Sequence, residues 1–288
     1  MRAPAVLVDA PMSPLVVGLI LTAAVLHASW NAILRSTPDR LWSITIMGVI
    51  GAMAALPLAL ALPRPQPESW RFIALSVTLQ VGYCLFLVRA YRTGHLAHVY
   101  PIARGSAPLL VTLAAALVAG ERLGGPGLAG VILVSGGIMV LALGRDRPDL
   151  ASGLAALAAG GFIASYMVAD GLGVRLSRSA VGYAAWQAVA QGLTMPVTYW
   201  AVRRRLPPMP RPSSDAAIIA AAIIGAFGYG VVIWAMSLGP MGKVSALRET
   251  SILFAALIGA VFLKEPLTWR RAIGAAVIAA GAACLSVS

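Results

Sequence analysis

The chain predicts an all-α, polytopic membrane protein with ten transmembrane helices arranged as two inverted five-helix repeats. Three observations predict this. Of 288 residues, 59% are hydrophobic and 11% charged, about half the charge of a water-soluble domain. The apolar residues fall in long runs, each near the ~20 residues a helix needs to cross a bilayer. The last run of each half repeats one arrangement: "VAGERLGGPGLAGVILVSGGIMVLAL" at 118–143 and "FLKEPLTWRRAIGAAVIAAGAACLSV" at 262–287.

Runs and breakers place the spans at 14–34, 41–62, 69–91, 96–119, 126–143, 151–171, 180–202, 214–238, 242–263 and 269–287. Pro, Gly, Arg and Asp punctuate the short loops. Trp42, Trp70, Trp200 and Trp269 sit at run ends, as interfacial aromatic residues do. In the first span, His27, Trp30 and Asn31 cluster. In the third, Gln80, Tyr83, Leu87 and Tyr91 recur at helical spacing and share a face. The seventh repeats this with Tyr183, Gln187, Gln191 and Thr194, with Trp186 adjacent. Tyr100, Tyr166, Tyr229 and Trp234 join them by position in the repeat. A polar or aromatic stripe inside a membrane helix should point away from lipid. Such stripes wall a solute cavity or glue helices together.

The fourth span opens "AHVYPIARGSAP". Pro101, Gly105 and Pro108 in one short stretch predict a bent or interrupted helix. Irregular backbone at that depth needs protein or a water-filled cavity beside it. Arg104 lies about eight residues into this span, on the order of 12 Å deep at 1.5 Å per residue. Arg248 is its counterpart, with Glu249 beside it. A charge so placed costs about 2.5–3.5 kcal/mol on insertion scales unless it meets water or a partner. The pair is either an anion-recognition device for a substrate carboxylate, or a helix lock and snorkelling charge.

Shifting the second stretch back by 144 positions superimposes the two. Arg248 meets Arg104, Glu265 meets Glu121, Gly274 meets Gly130 and Gly281 meets Gly137. Upstream, "GY" at 228–229 meets "GY" at 82–83, and "ASY" at 164–166 meets "ASW" at 28–30. The repeats are 14–143 and 151–287. Five spans per copy is an odd number, so the copies must lie upside down relative to one another, a build of many secondary transporters. Glu121 and Glu265 are expected at the water interface, each accepting hydrogen bonds from the first N–H groups of the following helix. Gly130 and Gly137, and Gly274 and Gly281, are seven apart on one face, where small residues let backbones approach.

This doubled pattern resembles the EamA family of the drug/metabolite transporter superfamily. There an acidic residue ends the fourth helix of each repeat, before a Gly-spaced fifth. Pro108, thirteen residues before Glu121, also fits; the second half has Ile252 at the matching position. The resemblance implies a ten-helix exporter or exchanger of small metabolites, multi-pass in a bacterial-type inner membrane. The aromatic interior is most similar to the amino-acid exporter branch. Drug or nucleotide-sugar transport by the same fold is the near alternative.

A net charge of +12 raises nucleic-acid binding, but Lys and Arg sit almost wholly at run ends and in loops, so no nucleic-acid partner is expected. The densest basic stretch, "RRRLPPMPRP" at 203–212, reads as a loop beside lipid headgroups. Cys84 and Cys284 lie inside apolar runs with neither metal spacing nor a disulfide framework. His95 and His98 have no third ligand near in sequence, so no metal is expected, and no cofactor motif is present. An intramembrane enzyme would need a pairing such as His27 with Ser106 or Ser165. Nothing in the sequence supports that, and the chain is expected not to be an enzyme. The expected partners are a small-molecule substrate and the lipid bilayer, with the protein monomeric. The Lys and Arg tally is seven on the side of the N-terminus against thirteen on the other. The positive-inside rule makes the second side cytoplasmic, whereas the resemblance implies cytoplasmic termini. No carboxylate falls in the middle of a span, Asp170 and Glu249 standing near ends. An uncoupled facilitator is therefore expected.

Overall fold

In the computed structural model, residues 12–35, 37–92, 96–142, 150–211, 214–262 and 268–287 are described. They form eleven helices: α1 (Pro14–Arg35), α2 (Arg40–Ala61), α3 (Pro67–Arg92), α4 (Leu96–Ala119), α5 (Gly125–Ala142), α6 (Leu150–Leu176), α7 (Ala180–Arg203), α8 (Ala216–Met236), α9 (Met241–Glu249), α10 (Ser251–Phe262) and α11 (Trp269–Val287). No strand occurs among the described residues.

Six of these helices are long and apolar enough to cross a bilayer: α1, α2, α6, α8, α11 and the Ile102–Ala119 part of α4. Composition explains why α3 and α7 are not among them. They carry glutamines and tyrosines, of which Gln80, Tyr83, Tyr183, Gln187 and Gln191 face inward. On the outside, Leu113, Leu117, Leu154, Val197 and Phe227 are each more than half exposed. A surface of this kind suits lipid, where apolar side chains lose nothing by facing out.

Two element boundaries depart from expectation. The sixth helix does not stop at Gly171 but runs on to Leu176, which carries Asp170 inside a helix rather than to its end. Of the two forms expected for the fourth span, bent or interrupted, the interruption is absent: α4 is continuous across Pro101, Gly105 and Pro108. The break falls in its counterpart. The ninth span divides into α9 and α10 at Thr250, whose hydroxyl and N–H both bond back to Leu247 O, at 2.7 and 3.2 Å. That tight turn replaces regular ladder bonds.

Packing pairs the halves. α2 lies on α7, α5 on α11, and α4 on α9; α3 and α4 pack on α6 while α1 packs on α8, α9 and α10. Exchanging each first-half helix for its second-half counterpart returns the same set of pairs. Within the counterpart pairs, the helices run antiparallel. A Cβ on Gly130 would meet Gly281 O at 3.0 Å, and one on Gly137 would meet Gly274 O at 3.0 Å. The reverse contacts hold, Gly274 against Gly137 O at 3.1 Å and Gly281 against Gly130 O at 2.9 Å. The four glycines thus form the crossing surface of α5 and α11, where two backbones touch and no side chain fits.

Candidate functional site: a cavity between the halves

A cavity of about 280 Å³ opens between the halves. α1 contributes His27, Trp30 and Asn31, α3 Gln80 and Tyr83, α4 Arg104, α6 Tyr166, α7 Gln187 and Gln191, α8 Tyr229, and α9 Arg248. Small residues complete the wall, Gly48 and Gly51 on α2 and Gly225, Gly228 and Gly230 on α8. They widen the space because nothing projects from them.

The floor is an ionic cluster. Arg104 Nε stands 2.7 Å from Glu249 Oε2, with its N–H not aimed along the contact, so this is an ion pair rather than a directed bond. Arg248 Nη2 donates to Oε1 of the same carboxylate at 3.1 Å. The repeat-related arginines therefore share one counter-ion, and all three side chains are buried. Arg104 Nη2 also donates to Ser251 Oγ at 3.3 Å and meets His27 Nε2 at 2.8 Å. A guanidinium only donates, so His27 Nε2 accepts and the ring keeps its proton on Nδ1. Above the floor, the rings of Tyr83, Tyr166 and Tyr229 line up with centroids 6.3 and 6.2 Å apart. Arg248 Nε, Gln187 Nε2 and Gln191 Oε1 are buried with no hydrogen-bond partner among the described residues. Buried polar atoms are normally satisfied, so these are places for water or a solute.

The sequence profile of the EamA-like transporter family matches residues 14–143 and again residues 151–287. The chain belongs to the EamA-like transporter family. A solved crystal structure of a protein 20% identical to this chain has the same fold, with a TM-score of 0.72 over 94% of each chain. No curated protein matches.

In this EamA-like protein, eleven of the polar and aromatic residues singled out in the sequence line this cavity: His27, Trp30, Asn31, Gln80, Tyr83, Arg104, Tyr166, Gln187, Gln191, Tyr229 and Arg248. Trp186 and Trp234 do not line it. On α7 the cavity face is Ala184, Gln187, Ala188, Gln191 and Met195, and Trp186 is turned about 100° away from Gln187. It stands edge-on to Trp70 instead, centroids 5.2 Å apart. Trp234 lies more than a turn beyond Tyr229 and packs half-buried against the core. The side chains of Tyr91 and Tyr100, and all of Glu265, lie outside the described residues. Cys84 joins the cavity wall as a free thiol, and Cys284 is free and half-buried.

Among the described residues, His27 meets Arg104 and no serine. Ser106 bonds Ala103 O at 3.1 Å and Ser165 is exposed. Both carboxylates expected near span ends are fully buried, Glu249 in the cluster and Asp170 behind the cavity. The expectation of an uncoupled facilitator rests on carboxylates standing near span ends, and these two buried acids weaken that ground.

Glu121, between the end of α4 and the start of α5, is turned away from water. It is 4% exposed and reaches across to the other half. Gly120 takes a left-handed turn (φ 68°) after α4 and Glu121 N closes on Ala115 O at 3.2 Å, which folds the carboxylate back into the bundle. Its Oε2 accepts from Met241 N at 2.9 Å, the first N–H of α9. The residue before that helix, Pro240, has no side chain to cap it. The partner is thus α9 rather than the expected α5. Oε1 pairs with Arg175 near the end of α6, which also donates to Met236 O at 2.9 Å and Gly239 O at 2.8 Å after α8. These ends of α4, α6, α8 and α9 are on the opposite side of the bundle from Leu34 and Ile44, toward which the cavity extends.

Proposed function

We propose that this protein carries small amphipathic zwitterions across the membrane, amino acids with aromatic or apolar side chains foremost, by alternating access between two inverted repeats. Export or exchange is the direction the family resemblance favours. The antiparallel course of α5 and α11 supports the inversion, since counterparts in upside-down copies run in opposite directions. A cavity extending to one side, with the other side tied by Glu121 and Arg175, is the shape one half of such a cycle requires.

The observation that carries the substrate class is the floor. Two guanidiniums share one carboxylate, so the cluster accommodates a second anion, and a substrate α-carboxylate is such a group. The rings of Trp30, Tyr83, Tyr166 and Tyr229 offer apolar area to the side chain, and the amides of Gln187 and Gln191 offer hydrogen bonds. A volume of about 280 Å³ lies at the small end of ligand cavities, which favours an amino acid over a nucleotide sugar.

Counterflow of labelled phenylalanine and leucine into proteoliposomes preloaded with the same amino acid tests this. Uptake that saturates and falls at least tenfold in Arg248→Gln is the expected result. No counterflow by folded protein, or counterflow indifferent to Arg248→Gln and to Tyr83→Ala, overturns it.

A further inference from the structure

Asp170 takes no part in the floor and does not line the cavity, yet it is fully buried in the bundle. The Tyr229 hydroxyl donates to its Oδ2 at 2.6 Å and the Tyr183 hydroxyl to its Oδ1 at 3.2 Å. Ser76 on α3 stands beside it and accepts from Gln80 Nε2 at 2.9 Å. Two of its neighbours thus lead to the cavity, since Tyr229 and Gln80 line it.

The groups facing Asp170 are hydroxyls on every side: Ser76 from α3, Tyr183 from α7 and Tyr229 from α8. The charged residues of α4 and α9 that pack near α6, namely Arg104, Lys243, Arg248 and Glu249, form no ion pair with it. A buried carboxylate without a counter-charge is costly to keep ionised, and taking up a proton is the ordinary escape.

The geometry makes that proton consequential. While Asp170 is ionised it can only accept, and Tyr229 donates to it. When Oδ2 is protonated, its new O–H donates to the Tyr229 oxygen and the old hydrogen bond is lost. The Tyr229 hydroxyl hydrogen must then turn elsewhere. One O–H bond forms at Oδ2, one hydrogen bond reverses, and no electrons move.

We infer that Asp170 is a proton-binding site wired to the cavity through Tyr229, so that its proton re-aims the Tyr229 hydroxyl toward the solute. A solute that prefers one aim is thereby coupled to proton uptake or release. The coupling to transport rests on the carrier function proposed above; the proton site does not.

Infrared difference spectra of the full-length protein in lipid nanodiscs, recorded as pH is raised without any solute, test it. The wild type should lose a protonated-carboxyl stretch together with a change in a tyrosine C–O band. Asp170→Asn should lack both. Tyr229→Phe should keep the carboxyl signal and lose most of the tyrosine change, the longer Tyr183 contact at 3.2 Å supplying the remainder. The inference is overturned if the carboxyl band persists in Asp170→Asn, if no such band titrates in the wild type, or if the tyrosine change is undiminished in Tyr229→Phe. Should Asp170→Asn not fold, the wild type and Tyr229→Phe still decide. In proteoliposomes, an imposed pH gradient should drive phenylalanine movement in the wild type and not in Asp170→Asn. Absent counterflow with a titrating band removes the carrier reading alone. Intact counterflow without the band removes the proton site alone.

Discussion

Arg104 and Glu249 meet at 2.7 Å across the two halves, a guanidinium from α4 against a carboxylate from α9. Because Arg248 takes the other oxygen of that carboxylate, removing the single negative charge strands two positive ones. Breaking a buried ion pair from one side typically costs about 3–5 kcal/mol. Glu249→Gln should therefore lower the thermal midpoint of the detergent-solubilised protein markedly. The double change Glu249→Gln with Arg104→Gln should recover part of the loss. A midpoint unchanged in the single variant would mean that the cluster is solvated and not a lock.

The α5–α11 crossing offers a comparison between adjacent residues. A Cβ on Gly137 would stand 2.6 Å from the Ile278 side chain and 3.0 Å from Gly274 O, whereas one on Gly136 would meet nothing within 4 Å. Gly137→Ala should destabilise by about 1–3 kcal/mol, the usual range for overpacking. Gly136→Ala should be neutral or slightly stabilising, since alanine is the better helix former. Thermal unfolding of the two variants side by side checks this. Equal effects would show that the helices part easily.

On α7 the neighbours Trp186 and Gln187 should separate in transport assays. Gln187 lines the cavity with an unsatisfied amide and Trp186 does not. Loss of one hydrogen bond to a solute is worth about 1 kcal/mol, several-fold in affinity. Gln187→Leu should lower phenylalanine counterflow several-fold, and Trp186→Phe should leave it within about twofold of wild type, a change of under 0.5 kcal/mol. The reverse ranking would mean that α7 turns differently in the working protein.

Much of this architecture is legible in the sequence. Run lengths delimit the helices because a bilayer imposes a thickness, and the glycine spacing picks out the faces of α5 and α11 because only glycine permits that approach. The stripes on α3 and α7 point to one cavity because a membrane helix hides its amides. The misses have physical causes too. Trp186 and Trp234 are chemically apt, but which way they face depends on helix rotation set by packing. The break at Thr250 carries no Pro or Gly, only a hydroxyl able to bond its own backbone. The sixth span is expected to end at 171, one residue past Asp170, yet α6 continues to Leu176 packed against α3, α7 and α8. The partner of Glu121 comes from the opposite half, and no local pattern announces a contact 120 residues away.

The knot around Glu121 and Arg175 gathers the ends of α4, α6, α8 and α9 at two side chains. Those four helix ends have no independent freedom while it is tied. For the carrier proposed above, that face therefore opens in a single concerted step, without a half-ajar state in which solute and ions leak past each other.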